Sequence, residues 1–205
     1  MTAHLRRRPD GALELRVNGV FVMDDVETSS EQLLAQTVLE LGAREVLVGG
    51  LGLGFTLRAL LDGGAERVIV AEVEPEVVRW FTDGTIPGGR ELTADPRTAV
   101  ETGDVRDIVV AQPSSSLDAI VLDVDNGPDF LVHDANARVY EADFIGRCAT
   151  RLRPAGQLCV WSMADSSAVR DRLREHFEQV DAHEVPVTLQ GRRESYWVLR
   201  GSRPR

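Results

Sequence analysis

The sequence predicts a single α/β domain built on a mostly parallel, seven-stranded β-sheet with helices on both faces. Three observations support this prediction. Apolar segments of strand length alternate with amphipathic segments of helix length along most of the 205 residues. The strands are near-continuous apolar runs, as expected when a sheet is covered on both sides. The connections between them are short, which is typical of repeated β–α units.

Composition and charge exclude several classes of protein. With 43% hydrophobic and 27% charged residues, the chain has enough apolar material for a sizeable core. A net charge of −10 argues against nucleic acid as a partner, because phosphate binding needs concentrated positive charge. No segment approaches the ~20 apolar residues of a membrane span, and no signal-peptide pattern is present. Cys148 and Cys159 form no redox or metal pair, and no cluster has metal-ligand spacing, so we expect a cytoplasmic protein without a metal.

The N-terminal segment predicts a hairpin and then a helix. Alternation from Leu13 to Val17 precedes Asn18-Gly19, a pair that supplies the two positive-φ positions of a tight turn, so residues 12–24 should form a β-hairpin. A capping box of Thr28 with Glu31, or of Ser29 with Gln32, starts a helix predicted over 30–41, with Leu33, Leu34, Val38 and Leu41 facing inward. The Arg-rich chain ends are expected to be solvated tails.

Strands and helices alternate through the rest of the chain. The predicted strands are 45–49, 67–71, 98–101, 117–122, 157–161, 185–189 and 196–199. The predicted helices cover 55–61, 76–81, 105–110, 143–152 and 167–177. The chain is therefore expected to comprise an N-terminal tail with a hairpin, a Rossmann-like domain and a disordered tail (residues 1–27, 28–200 and 201–205).

A glycine-rich loop follows the first strand of this series. Gly50, Gly52 and Gly54 lie between a strand and a helix, where glycines permit a tight turn and close approach of the backbone to a ligand. The dinucleotide pattern G-x-G-x-x-G fails, because its third glycine would fall on Phe55 or Leu57. The loop therefore favours an adenosyl cofactor over NAD, although a tight structural turn would explain it as well.

Acidic residues follow three of the predicted strands, at the edge where ligands of parallel sheets bind. Glu72 lies about 20 residues after the glycines, where a carboxylate accepts the hydroxyl groups of a ribose. Asp104 is placed to accept a hydrogen bond from an adenine amino group, to cap a helix, or both. Asp123 ends the most apolar strand, and together with Asp125 it is the predicted catalytic carboxylate. The loop beyond supplies the predicted substrate residues Asp129, His133 and Tyr140.

Taken together, these segments resemble the spermidine synthase (polyamine aminopropyltransferase) family, a branch of the class I methyltransferase fold. The resemblance covers Asn18-Gly19-Val20, Val46 to Gly50, Leu57-Arg58, Val70 to Glu74, Gly103-Asp104, and Leu122-Asp123 to Tyr140. It implies that Glu72 binds ribose, that Asp104 contacts adenine and that Asp123 handles the attacking amine. It also implies S-adenosylmethionine or its decarboxylated form as donor, S-adenosylhomocysteine or methylthioadenosine as product, a small amine as acceptor, and a homodimer.

The sequence departs from the family pattern at four positions. Leu53 stands where the family has an Asp that grips the amino group of the donor, and Val48 stands where methyltransferases have an acidic residue. Val22 replaces a Gln after the hairpin turn, and Glu31 falls near a Tyr that contacts polyamine. These departures leave three hypotheses. One is transfer of an aminopropyl or methyl group with Asp123 as base, the second is an inactive nucleoside-binding homodimer, and the third is an NAD-dependent oxidoreductase.

Overall fold

The computed structural model describes residues 2–189 and 192–205, and its N-terminal part is a three-stranded antiparallel sheet. The strands β1 (Ala3–Arg7), β2 (Leu13–Val17) and β3 (Val20–Asp24) follow one another in the order β1-β2-β3. The predicted hairpin is confirmed, with positive φ at Asn18 (52°) and Gly19 (80°). The predicted N-terminal tail is wrong, because β1 pairs with β2 and buries Ala3 while its arginines stay at the surface.

The main sheet contains seven strands, as the sequence predicted. They are β4 (Glu45–Gly49), β5 (Arg67–Glu72), β6 (Thr98–Thr102), β7 (Leu117–Leu122), β8 (Leu152–Ser162), β9 (Phe177–Leu189) and β10 (Arg192–Pro204). Their order across the sheet is β6-β5-β4-β7-β8-β10-β9. The pairs among β6, β5, β4, β7 and β8 are parallel, and β10 runs antiparallel to both of its neighbours. The chain reverses its winding direction at β4, which opens a crevice beside the carboxyl ends of β4 and β7.

Within residues 2–189 and 192–205, seven α-helices and one 3-10 helix connect the strands. They are α1 (Ser29–Leu39), α2 (Phe55–Asp62), α3 (Pro75–Thr82), α4 (Gly89–Ala94), α5 (Val105–Ala111), the 3-10 helix Asp134–Tyr140, α6 (Ala142–Arg151) and α7 (Ser167–His176). Successive side chains of a strand point to opposite faces, so Val46 and Val48 pack with α1–α3 whereas Leu47 packs with α5–α7. The expected covering of both faces is confirmed. The short helix α4 lacks a clear apolar period and was not predicted.

The structure corrects the predicted C-terminal tail. Residues 201–204 belong to β10, where Ser202 pairs with Gln157 and Pro204 pairs with Phe177. Gly201 is needed there, because a Cβ at this position would lie 2.7 Å from Cδ2 of Phe177. The segment is therefore held by ladder hydrogen bonds and a buried aromatic ring, which a pattern of small and charged residues does not reveal.

The first turn of α1 also differs from the prediction. Thr28 is the N-cap but makes no side-chain capping bond, and its hydroxyl instead accepts a hydrogen bond from the side chain of Gln32 at 3.1 Å. Glu31, expected to complete a capping box, is buried. The helix ends at Leu39, so Leu41 is 57% exposed rather than inward-facing. In the part of the chain that the structure describes, no helix is long and apolar enough to cross a membrane.

Candidate active site

A cavity lies at the carboxyl ends of β4, β5 and β7 and is closed on one side by the N-terminal sheet. We call it the rim cavity. Its polar lining includes Glu72 at the end of β5, Asp104 after β6, and Asp123 and Asp125 on the loop after β7. Val22 and Met23 of β3 contribute an apolar wall. The acidic residues that the sequence placed at three strand ends are thus brought together around one space.

The glycine loop forms the floor of the rim cavity through Gly50 and Gly52. Gly50 has a φ of 96°, and a Cβ there would lie 2.0 Å from the carbonyl oxygen of Asp123. Only glycine fits this position, because the loop after β4 passes directly over the loop after β7. Gly54 has a different role: a Cβ there would lie 2.8 Å from the Phe81 ring, so this glycine serves packing and does not line the cavity.

Leu53 and Val48, the two hydrophobic residues at positions where an acidic residue was expected, both face the core. Leu53 is 5% exposed and packs among buried apolar side chains, while its backbone N–H donates to Sδ of Met23 at 3.3 Å. Val48 is likewise buried in the core. Neither side chain lines the rim cavity. An aspartate at position 53 would therefore need a different loop conformation from the one seen here.

Glu72 is held rigidly at the end of β5. Its carboxylate accepts hydrogen bonds from the backbone N–H groups of Leu51 (2.9 Å) and Glu74 (2.8 Å). These bonds fix its two oxygens beside the glycine loop, and each oxygen keeps a lone pair for a further donor. Burial raises the pKa of the Glu72 carboxyl, and the backbone hydrogen bonds partly oppose that effect. The geometry suits an acceptor for two neighbouring hydroxyl groups.

Asp104 caps α5, as the sequence allowed. Its Oδ1 accepts the backbone N–H of Arg106 at 2.8 Å, and the guanidinium of Arg106 binds both carboxylate oxygens. These hydrogen bonds to Arg106 hold the pKa of Asp104 below its usual range. The carboxylate remains partly exposed, with 33% side-chain exposure, and lines the cavity. It therefore stays an ionised acceptor at the edge of the site.

Asp123 lines the rim cavity just after the end of β7. Its backbone N–H donates to Gly49 at 2.9 Å, and its Oδ2 accepts from the Thr56 hydroxyl at 3.3 Å. Removal from bulk water raises the pKa of this carboxyl from 3.8 to about 7, and the nearby charge of Glu31 acts in the same direction. A carboxylate with a pKa near neutrality is suited to accept a proton from a substrate.

Asp125 stabilises the loop that follows β7. It is buried, and its carboxylate accepts hydrogen bonds from the backbone N–H groups of Asn126 (2.8 Å), Val132 (2.7 Å) and His133 (3.3 Å) and from the Asn136 side chain (2.8 Å). Both oxygens are thereby engaged with the chain itself. The predicted catalytic role of Asp125 is replaced by a positioning role for the loop that covers the cavity.

Replacing Asp125 with Ala should loosen this loop without removing the cavity floor. We expect a loss of about 1–3 kcal/mol in unfolding free energy, because buried amide donors lose their acceptor. Hydrogen exchange should show the greatest loss of protection at Val132 and His133. Asp129→Ala is the matched control, since Asp129 lies on the same loop but is exposed. Equal protection in the two variants would contradict the positioning role.

The three predicted substrate residues have different surroundings. His133 lines the rim cavity, and its Nδ1 accepts the N–H of Ala135 at 3.0 Å. Asp129 is exposed and outside the cavity lining. Tyr140 is 1% exposed and packs in the core, where burial raises the pKa of its phenol far above the usual value. Among these three residues, His133 alone lines the rim cavity.

The cavity has two further polar groups, Glu31 and Trp161; the sequence aligned Glu31 near a polyamine-contacting position of the family, whereas Trp161 was missed. Glu31 projects from the first turn of α1, and Trp161 lies near the end of β8. The ring of Trp161 packs against Tyr196 with a centroid distance of 4.8 Å. Trp161 lies within an apolar strand and gave no signal in the sequence, and the burial of Glu31 is seen only in the folded structure.

No protein-family model and no curated protein matches the chain. Solved structures do resemble it. A spermidine synthase crystallised with the transition-state analogue AdoDATO has a TM-score of 0.83 at 18% identity, over 98% of this chain and 70% of that one. The spermidine synthase from Thermotoga maritima has a TM-score of 0.81 at 17% identity, over 98% and 68%. A probable spermidine synthase from Corynebacterium glutamicum has a TM-score of 0.66 at 21% identity, over 98% and 76%.

These likenesses define the class of fold. The chain has the α/β architecture of the class I methyltransferases, preceded by an N-terminal antiparallel sheet. More particularly, it has the fold of the spermidine synthases.

Proposed function

We propose that this protein is a transferase that moves an aminopropyl group from decarboxylated S-adenosylmethionine to a small amine. The observation that carries the proposal is the position of Asp123, a carboxylate with a pKa near 7 that shares one cavity with the fixed carboxylate of Glu72. The structural neighbour in complex with AdoDATO, a transition-state analogue, supports the same class of reaction. S-adenosylmethionine, with methyl transfer, is the second donor to be tested.

The described residues fit a nucleoside at one end of the rim cavity. Glu72 presents fixed acceptor oxygens for ribose hydroxyls, and Asp104 presents an ionised acceptor for an amino group. Gly52 lets the glycine loop pack closely against β3 beside the cavity, because a Cβ there would lie 2.7 Å from Sδ of Met23. Val77 and Val105 add apolar surface against which a flat ring would pack.

Asp123 has two tasks in the proposed reaction. When bound, the sulfonium donor supplies an electrophilic carbon and a thioether leaving group. Asp123 orients the amine so that the nitrogen lone pair points toward that carbon, and its carboxylate takes up the proton that the nitrogen releases. The Thr56 hydroxyl holds one oxygen of Asp123 and leaves the other available to the amine.

Replacing Glu72 with Gln tests the nucleoside end of the cavity. The amide keeps the size of the side chain but loses a charge-assisted acceptor, so affinity for methylthioadenosine should fall about ten- to a hundredfold in calorimetry. Glu76→Gln, on the outer side of α3 in an ion pair with Arg79, is the control and should bind as the wild type does. Unchanged affinity in Glu72→Gln would contradict the ribose assignment.

A nucleoside-binding protein without transferase activity is the second candidate. It is favoured by Leu53, which faces the core and gives the tail of a donor no acidic partner in the cavity. Turnover that depends on Asp123 would exclude it. The homodimer and the cytoplasmic location stay predictions.

A further inference from the structure

The glycine loop is held in place by both sheets of the protein. Its first half is fixed to the main sheet, because the backbone N–H of Leu51 donates to the carboxylate of Glu72 at 2.9 Å. Its second half lies against the N-terminal sheet, because the backbone N–H of Leu53 donates to Sδ of Met23 at 3.3 Å. The position of the cavity floor therefore depends on both contacts.

The second contact depends on an unusual acceptor. A thioether sulfur accepts hydrogen bonds weakly, whereas the carboxylate of Glu72 accepts them strongly. Leu53 is buried, so its backbone N–H needs a partner within the protein. The loop also packs tightly on the same sulfur, because a Cβ at Gly52 would lie 2.7 Å from Sδ of Met23. A change in the size or polarity of this sulfur therefore acts directly on the second half of the loop.

Met23 is also the sulfur-containing residue that a small oxidant in the cavity would meet. It is half-buried and lines the rim cavity. Cys148 and Cys159 are fully buried, and burial raises the pKa of both thiols, so they are not reactive thiolates at neutral pH. Met163 is half-buried too, but it is not among the described residues that line the cavity.

We propose that Met23 is an oxidation site through which a peroxide weakens nucleoside binding in the rim cavity. A lone pair of Sδ forms the new S–O bond, the O–O bond of the peroxide breaks, and its other oxygen leaves as water or an alcohol. The thioether is thereby oxidised to a sulfoxide, and two thiols of a methionine sulfoxide reductase system reverse the step by forming a disulfide and water. This inference rests on the proposed function, because it concerns regulation of the proposed nucleoside site.

A sulfoxide does not fit the place that the thioether of Met23 fills. Its added oxygen has to lie either against the loop backbone at Gly52 or among the apolar side chains that pack with Met23. Both positions push β3 and the loop apart and lengthen the hydrogen bond from Leu53 to the sulfur. The hydrogen bond from Leu51 to Glu72 is not affected, so oxidation releases the second half of the loop and leaves the first half in place.

Treatment with hydrogen peroxide tests this inference, with mass spectrometry to show that the oxygen is on Met23. Hydrogen exchange at the amide of Leu53 should become at least about tenfold faster, whereas the amide of Leu51 should keep its protection. Affinity for methylthioadenosine, measured by calorimetry, should fall about ten- to a hundredfold. Methionine sulfoxide reductase with a thiol should restore both the protection of Leu53 and the affinity.

Two variants separate oxidation of Met23 from other damage by peroxide. Met23→Leu keeps an apolar side chain of similar volume that cannot be oxidised, so its affinity should be the same before and after peroxide, whatever the starting value. Met163→Leu keeps Met23 and should respond to peroxide as the wild type does. Unchanged exchange at Leu53 in the oxidised wild type, or the same loss of affinity in peroxide-treated Met23→Leu, would overturn the inference.

The two readouts distinguish the inference from the proposed function. If the untreated protein does not bind methylthioadenosine, the proposed function fails, and exchange at Leu53 still decides whether oxidation of Met23 releases the loop. If the untreated protein binds methylthioadenosine and transfers the aminopropyl group, but oxidation of Met23 changes neither exchange nor affinity, the proposed function holds and the inference is overturned.

Discussion

Asp123→Asn is expected to lower the rate of group transfer by about 10²–10⁴-fold, the usual contribution of a positioned general base. The amide is nearly isosteric and still accepts the hydrogen bond from Thr56, but it has no charge with which to orient an amine or take up its proton. Nucleoside affinity should change little, because the proposed nucleoside contacts are Glu72 and Asp104. Steady-state rates and calorimetry on the same preparations would show the two effects separately.

The pH dependence follows from the raised pKa of Asp123. Below pH 7 the carboxyl is protonated and cannot accept a proton, so activity of the wild type should rise with pH through about 7 and then level off. Asp123→Asn should lack this rise. A wild-type profile that is flat between pH 5 and 8 would contradict the assignment of Asp123 as the base.

The same residue should make the fold less stable at neutral pH. The folded protein keeps the Asp123 proton up to about pH 7, whereas the unfolded chain releases it near 3.8. The stabilising contribution of the protonated group is therefore complete below pH 3.8 and is lost as the pH rises to 7, with an upper bound of about 4 kcal/mol. Asp123→Asn should unfold at a higher temperature than the wild type at pH 8, and the difference should shrink at pH 4.

Gly50→Ala is expected to disrupt the cavity and to cost about 3–5 kcal/mol in unfolding free energy. The added Cβ would lie 2.0 Å from the carbonyl oxygen of Asp123, and a φ of 96° is unfavourable for alanine. The loops after β4 and β7 would have to separate, which should displace Asp123 and abolish nucleoside binding. Chemical denaturation and calorimetry would measure both consequences.

Gly42→Ala is the matched control for this substitution. Gly42 has a comparable φ of 82°, but no atom lies within 4 Å of a Cβ placed there. It should cost only about 1 kcal/mol, from backbone strain alone. Similar losses in the two variants would mean that strain, rather than the contact between the two loops, determines the effect of Gly50→Ala.

Much of the fold could be predicted from the sequence, because buried parallel strands appear in it as continuous apolar runs. The predictions for 45–49 and 117–122 coincide with β4 and β7, the strands that carry the glycine loop and Asp123. In such a sheet the carboxyl ends of the strands share one edge, so Glu72, Asp104 and Asp123 could be expected to meet there. The structure of the two chain ends was harder to predict. Both β1 and the end of β10 were interpreted as tails.

The other parts of the site depend on packing that no local pattern encodes. Glu31 comes from a helix and Trp161 from β8, and only the tertiary structure brings them beside Asp123. Tyr140 illustrates the converse case: its place near the site in sequence suggested a substrate contact, but its ring, at the end of the 3-10 helix Asp134–Tyr140, packs in the core. The sequence therefore identified the cavity residues at the ends of β5, β6 and β7 more completely than those contributed by α1 and β8.

The most direct test of this account is product analysis by mass spectrometry. The protein would be incubated with decarboxylated S-adenosylmethionine or S-adenosylmethionine and a panel of small amines, with Asp123→Asn in parallel. We expect methylthioadenosine and an aminopropylated amine to form in equal amounts from the decarboxylated donor, at a rate that falls at least about a hundredfold in Asp123→Asn. Nucleoside binding without a product from either donor, or product formation at the same rate in Asp123→Asn, would contradict it.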